Sequence, residues 1–341
     1  TQATPSTISF AIPGAGPHTI NLTSALPIVT ANGMIIDGTT QPGTQCRDLW
    51  LGNGHDLRVN VRRNAASTFL GFRFAGANQT LRGLSITRFS DAITLLPASS
   101  GARIQCNYIG LLPGGGSENN GNVGVAVNGA SARIGGLNAG EGNLLASNGV
   151  AGITTYSGST DTSIQGNFIG TDLTGMAARS SGTGIANQSG SVTWRDVTRN
   201  LIAGNSGGAI GLDADDRITA SSDLVRIQRN RIGFNRTLSA LLLNGNSALR
   251  FGTGSIANAL IGGNASSEGN EIAGTVDGVT ISNATNVTIQ GNIIARSGGR
   301  GIAMVNVNGA TIGGSSDGLR NIIGGNGGNG IDVTGGSTGI A

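Results

Sequence analysis

The phrase Ile-Gln-x-Asn-x-Ile keeps returning in this chain, as RIQCNYIG at 103–110, SIQGNFIG at 163–170, RIQRNRIG at 226–233 and TIQGNIIA at 288–295. An Asn followed two residues later by Ile or Leu stands at Asn107, Asn143, Asn167, Asn200, Asn230, Asn270, Asn292 and Asn321, at spacings of 22 to 40 residues. That variable spacing constrains the fold more than any other feature. A helical repeat keeps its length, and it would not tolerate 60 glycines in 341 residues, because each Gly costs about 1 kcal/mol relative to Ala inside a helix. Short β-type segments separate the phrases instead, among them VGVAV, AGITTY, DGVTIS, RGIAMVNV and NGIDVT.

Each repeat therefore reads as two or three short strands joined by tight bends, with one bend at the Asn, a residue that tolerates the left-handed backbone. If successive turns stack, the Asn side chains fall about 4.8 Å apart and their amides can bond in a ladder, while the flanking Ile residues pile up inside. This is an all-β parallel β-helix of roughly ten to twelve coils. Loops leaving the bends can grow without disturbing the stack, and TDLTGMAARSSG (171–182) and LDADDRITASSD (212–223) read as such outgrowths. Residues 1–33 lack the phrase and read as an N-terminal cap and lead-in strand, with the repeats running from 34 to 341. The last residues stop in mid-repeat, which suggests a segment of a longer protein or an end covered by oligomerisation.

Composition limits the function. Apolar residues make up 38% of the chain and aromatics 4%, so the core is aliphatic. All 21 basic residues are Arg, Lys being absent, and the net charge of +3 is too small to argue for nucleic acid. Eight Arg between Arg47 and Arg103 face only Asp48, Asp56 and Asp91, which gives either an attractive surface for an acidic polysaccharide or a solvated face. No apolar run approaches the length of a membrane span. Cys46 and Cys106 are compatible with one disulfide in an oxidising compartment. The slot before the recurrent Asn also holds Arg199, Arg229 and Arg320, so Cys106 is expected to be exposed, within reach of the loop that carries Cys46.

These residues resemble the right-handed parallel β-helix repeats of the pectin-lyase-like superfamily, in particular a bacterial secreted or surface subgroup. The resemblance rests on IPGAGPHTI (Ile12–Ile20), TSALP (Thr23–Pro27) and IDGTTQPG (Ile36–Gly43). It rests also on GNxIGTDxTG-type repeats at Gly166–Gly175 and IGG…GNxI phrases at Ile134–Leu144 and Ile261–Ile272. The resemblance implies secretion or cell-surface display, further domains in the parent chain, and little about activity.

Polysaccharide-active relatives of that fold carry Asn-x-Asp, an Asp pair, Gly-His-Gly and Arg-Ile-Lys. Here only the pair Asp215-Asp216 is present, since the two histidines, His18 and His55, lie near the N-terminus. Asp213 and Asp215 alternate along an extended segment and could hold Ca²⁺ or act on a sugar, with Arg217 and Arg226 binding a uronate carboxylate. Tyr156, Gln188 and Asn246 could join them from neighbouring coils. Trp50 and Trp194 could stack on sugar rings or simply pack locally. The leading expectation is a non-catalytic extracellular stalk, adhesin or glycan-binding scaffold with no cofactor. The alternative is a lyase or hydrolase of acidic polysaccharide with a lateral site near Asp213–Arg217. An enzyme should gather carboxylates, Arg and aromatics in one groove, and the sequence leans towards scattering them.

Overall fold

The computed structural model describes residues 6–64, 68–188, 191–212, 217–220, 225–252, 256–265 and 267–341. The chain winds as a single right-handed parallel β-helix in which each coil gives one short strand to each of three sheets, of 12, 11 and 10 strands. The second sheet takes one strand per coil, so its 11 strands count the coils. Thr7–Ser9 pairs with Ile35–Asp37, so the lead-in already forms part of the first sheet. One extra strand, Arg217–Ala220, pairs with Ser191–Trp194 beside the main stack. Among the described residues no helix is long and apolar enough to cross a membrane.

Both Ile positions of the repeat phrase face inward. The first forms the file Ile104, Ile134, Ile164, Val197, Ile227, Ile261 and Ile289, and the second the file Ile109, Leu145, Ile169, Ile202, Ile232, Ile272 and Ile294, every member at most 1% exposed. Burial of such a side chain is worth about 1.5–3 kcal/mol, so the aliphatic stack supplies the bulk of the folding drive. The Gln faces outward and ties coil to coil. Gln105, Gln228 and Gln290 donate through Nε2 to the carbonyls of Gly135, Gly262 and Gly313 in the next coil, at 2.8–3.3 Å.

The eight repeat Asn residues stand in one file between the first and second sheets. Nδ2 of each donates to Oδ1 of the next at 2.9–3.1 Å, from Asn107 through Asn143, Asn167, Asn200, Asn230, Asn270 and Asn292 to Asn321. The same Oδ1 accepts the backbone N–H of the preceding Asn at 2.9–3.1 Å. The second Nδ2 hydrogen goes to a main-chain carbonyl of the coil below, for example Val197 O from Asn230 at 2.7 Å. A side chain with both a donor and an acceptor is required, because an unpaired amide buried here would cost free energy.

The left-handed residue is not the Asn but the one before it: φ is +56° at Cys106, +65° at Gly166, +57° at Arg199, +58° at Arg229 and +68° at Gly291. The bend expected at the Asn thus sits one position earlier. This lets the Asn begin the next strand with its amide turned inward. In the IGG…GN coils the turn moves to Gly135, Gly262 and Gly313. A Cβ at Gly262 would lie 1.9 Å from the Gln290 carbonyl, which explains the glycine.

A second polar file, unmarked in the sequence reading, runs between the second and third sheets. Asn120 donates to Asn148 at 2.9 Å, Asn205 to Asn244 at 2.9 Å, and the N–H of Ser297 to Asn326 at 2.9 Å. The 111–117, 171–178 and 234–241 loops leave near this bend, each closed by an antiparallel bridge. Asp172 and Asn235 close two of them by accepting backbone N–H groups of their own loops, Asp172 from Thr174, Met176 and Ala177. The Asp of the GTDxTG phrase is therefore a turn former.

Residues 38–58 fold down as a clasp over the outer face of the second sheet, covering Tyr108, Leu144, Phe168 and Leu201. A disulfide joins Cys46 to Cys106 across 60 residues, with Cα atoms 5.7 Å apart. Closing a loop of that length contributes about 4 kcal/mol in the chain-entropy account. Cys106, expected at the surface, is 2% exposed, because the clasp lies on it. His55 bonds the Gly142 carbonyl at 2.7 Å and the Arg47 N–H at 3.1 Å, and its own carbonyl accepts from Tyr108 at 2.5 Å. Burial holds the His55 imidazole down at about 4, against an ordinary 6.5. Burial likewise pushes the Tyr108 phenol up.

Two measurements check these assignments. Asn230→Ala strips the acceptor from the Asn200 N–H and Nδ2 and the donors from Val197 O and Asn270 Oδ1. Denaturant unfolding should show a loss of about 3 kcal/mol, larger than for Asn321→Ala at the half-buried end of the file. An unchanged midpoint would place the amide in water. For His55, the unfolded chain takes up a proton near 6.5 while the folded one stays neutral down to about 4. Its contribution is therefore complete above pH 6.5 and lost as pH falls towards 4, a decline of about 3 kcal/mol. His55→Gln should flatten that part of the stability–pH curve, whatever it does to stability at pH 7.

Candidate functional site

Because inward Ile files fix the register, the residue just before each first-sheet Ile must point outward. Those residues are Arg103, Arg133, Ser163, Asp196 and Arg226, neighbours in successive coils. A register shift between Thr162 and Ser163 leaves Arg195 as an extra residue, a bulge that brings Arg195 beside Asp196 on this face. All of these but Arg226 line a groove of about 350 Å³ whose walls include Asn78, Gln165 and Asp161.

The groove is polar and partly wired. Gln165 donates to Asp196 at 2.6 Å and accepts from Arg133 Nε at 3.3 Å, while Ser163 donates to the other Asp196 oxygen at 3.1 Å. Arg195 pairs with Asp161, with Nε at 2.8 Å. Arg103 and Arg133 are exposed register partners on adjacent strands, and neither makes an ion pair among the described residues. Two guanidinium groups stacked this way repel each other and favour an anion between them.

The basic excess over Arg47–Arg103 is otherwise largely neutralised. Arg47 and Arg58 meet Asp56, Arg62 and Arg88 meet Glu118, and Arg82 meets Asp37. Glu118, distant in sequence, supplies much of that compensation.

Of the residues singled out from sequence, Asp213, Asp215 and Asp216 lie outside the described residues, and Arg217 is described only as backbone paired with Ser191. Tyr156 and Gln188 meet at 3.4 Å where the third-sheet strands end. Burial, helped by Asp91, pushes the Tyr156 phenol up, which suits a hydrogen-bond donor rather than a base. Arg226 lies on a different sheet, next to Asp196 in the groove row. Asn246 stands at the bend before the third-sheet strand, its Oδ1 accepting from Ser247 N at 2.8 Å. The four do not form one constellation. Trp194 is fully buried and donates to Thr155 at 3.2 Å, whereas Trp50 is half-buried against the edge of Phe168. Among the described residues no group of three or more His, Cys, Asp or Glu is placed to hold a metal ion.

Sequence reasoning missed Arg103, Arg133, Asp161, Gln165, Arg195 and Asp196 as a group. The signal was present for the outward row, since aligning the repeats on their Ile places Arg103, Arg133 and Asp196 one above another. The bulge at Arg195 leaves no such trace.

No protein-family model matches the chain and no curated protein matches it. Among solved structures it is similar to the full-length tailspike protein 2 of the Escherichia coli O157:H7 bacteriophage CAB120, with 11% identity and a TM-score of 0.47 over 94% of this chain and 39% of that one. It is also similar to the catalytic unit of a GH87 α-1,3-glucanase from Streptomyces thermodiastaticus, with 13% identity and a TM-score of 0.46 over 95% and 64%. A third is the A-module of an Azotobacter vinelandii mannuronan C-5 epimerase, with 13% identity and a TM-score of 0.43 over 99% and 91%. The chain thus spans less than two thirds of the first two.

Proposed function

We propose that this chain is a non-catalytic, extracellular glycan-binding β-helix, a surface stalk or adhesin that holds an acidic polysaccharide along the outer face of its first sheet. The observation that carries this reading is the lateral groove with its neighbouring Arg103 and Arg133, which make no ion pair among the described residues. Guanidinium groups grip carboxylate or sulfate groups in two-point fashion, and the Ser, Asn, Gln and Asp side chains beside them match sugar hydroxyls. The groove gathers charged groups in one place, more than the sequence led one to expect. Its carboxylates, however, are already engaged by Arg195, Ser163 and Gln165. That is an arrangement for orienting a ligand, and it does not favour proton transfer. Secretion suits the Cys46–Cys106 disulfide.

The test is retention on immobilised acidic and neutral polysaccharides, with release of reducing or unsaturated ends recorded in parallel. Acidic polymer should be retained in a salt-sensitive way. Arg103→Ala and Arg133→Ala should each weaken retention roughly tenfold or more, with unfolding stability changed by less than about 0.5 kcal/mol. Retention that is indifferent to both substitutions removes the groove from the account. Product release would replace binding by catalysis.

A further inference from the structure

The clasp ends against a second concavity on another face of the coil. Trp50, Arg199, Arg229, Arg231, Ser267 and Glu271 line an open cavity of about 320 Å³ where the outer row of the second sheet emerges from beneath the clasp. Trp50 is firmly mounted. Its backbone N–H donates to Asp48 Oδ1 at 3.1 Å, its backbone carbonyl accepts from Arg236 at 2.9 Å, and its ring makes a T-shaped contact with Phe168 at 5.2 Å. The Arg231 guanidinium lies 5.5 Å from the indole centroid, a cation–π contact.

The charges around this cavity are unbalanced, and two donors beneath its surface are unpartnered. Trp50 Nε1 and Arg231 Nε are both buried donors with no hydrogen-bond acceptor among the described residues. Glu271 comes within 3.5 Å of Arg231 Nε as an ion pair but does not complete a hydrogen bond. Arg199 reaches Asp48 at 3.3 Å, and Arg229 binds Ser267 through its carbonyl at 2.9 Å and its hydroxyl at 3.1 Å. Three guanidinium groups thus face two carboxylates, Asp48 and Glu271, leaving one positive charge in excess. With that excess, and with the exposed Arg229 guanidinium on its wall, the cavity favours a ligand that carries negative charge and accepts hydrogen bonds.

We infer that this cavity is an oxyanion-binding site, taking a carboxylate, sulfate or phosphate group against Trp50, Arg229 and Arg231. It lies around the bend from the first-sheet groove and does not depend on it. Its position at the clasp end means that the same cross-linked loop both covers the second sheet and supplies the indole.

Calorimetric titration of the full chain with acetate, sulfate and inorganic phosphate, against chloride at matched ionic strength, tests this and separates the three chemistries. Tryptophan emission recorded alongside reports on Trp50. At least one anion should bind saturably in the millimolar range. Arg229→Ala, at an exposed position, should weaken it roughly tenfold, and Glu271→Gln should tighten it by removing a like charge. Arg133→Ala, in the other groove, should leave it unchanged. No saturable binding of any of the three anions, or binding indifferent to Arg229→Ala, overturns the assignment. Binding abolished by Arg133→Ala alone would move the anion to the first-sheet groove and leave this cavity without a ligand.

Discussion

The structure depends on a buried amide that bonds to its own copy one coil away. Each ladder Asn between the two ends of the file accepts twice through Oδ1 and donates at least twice through Nδ2, so four hydrogen bonds are completed by one residue type in each of those coils. Asp would lack the donors and bring charge. Leu would fill the space and leave main-chain groups unpaired. Because the partner of each amide is its own copy, the ladder sets the vertical register of the coils as well as their spacing, and a slip of one residue would remove every bond at once.

Register fixed from inside leaves the outside free. The Ile files commit every second residue of the first and second sheets to the core, and the alternate residues become rows running along the axis. One row builds the first-sheet groove through Arg103, Arg133, Ser163 and Asp196. Another, in the second sheet, is apolar at Tyr108, Leu144, Phe168 and Leu201, where the clasp covers it, and turns charged at Arg231 and Glu271, where the clasp stops. The change in polarity along that row marks the edge of the clasp and creates the Trp50 cavity.

The ladder could be read from sequence because its chemistry admits almost no substitute and its Ile neighbours are equally constrained. The second file could not, since Ser181 and Ser297 take the place of Asn in some coils and protruding loops separate the copies. Exposure at Cys106 was misjudged for a related reason. Arg at the equivalent slot of other coils reports those coils truthfully, but the loop that buries Cys106 comes from 60 residues away and belongs to no repeat. The left-handed residue was placed one position late because Asn is the usual occupant of that conformation, whereas here its amide is needed inside and Arg or Cys takes the turn. Among the groove residues, Arg103 and Arg133 follow from the alignment of repeats, while Arg195 depends on a bulge that no local pattern announces.

Hydrogen exchange followed residue by residue tests the ladder most directly, because the backbone N–H groups of Asn107, Asn143, Asn167, Asn200, Asn230, Asn270 and Asn292 each donate to a side-chain oxygen in the next coil. These seven should exchange only through opening of the whole solenoid, as slowly as the Ile residues packed beside them. Exchange at the rate of the protruding 111–117 and 234–241 loops would mean that the amides are solvated, and that something else holds the coils in register.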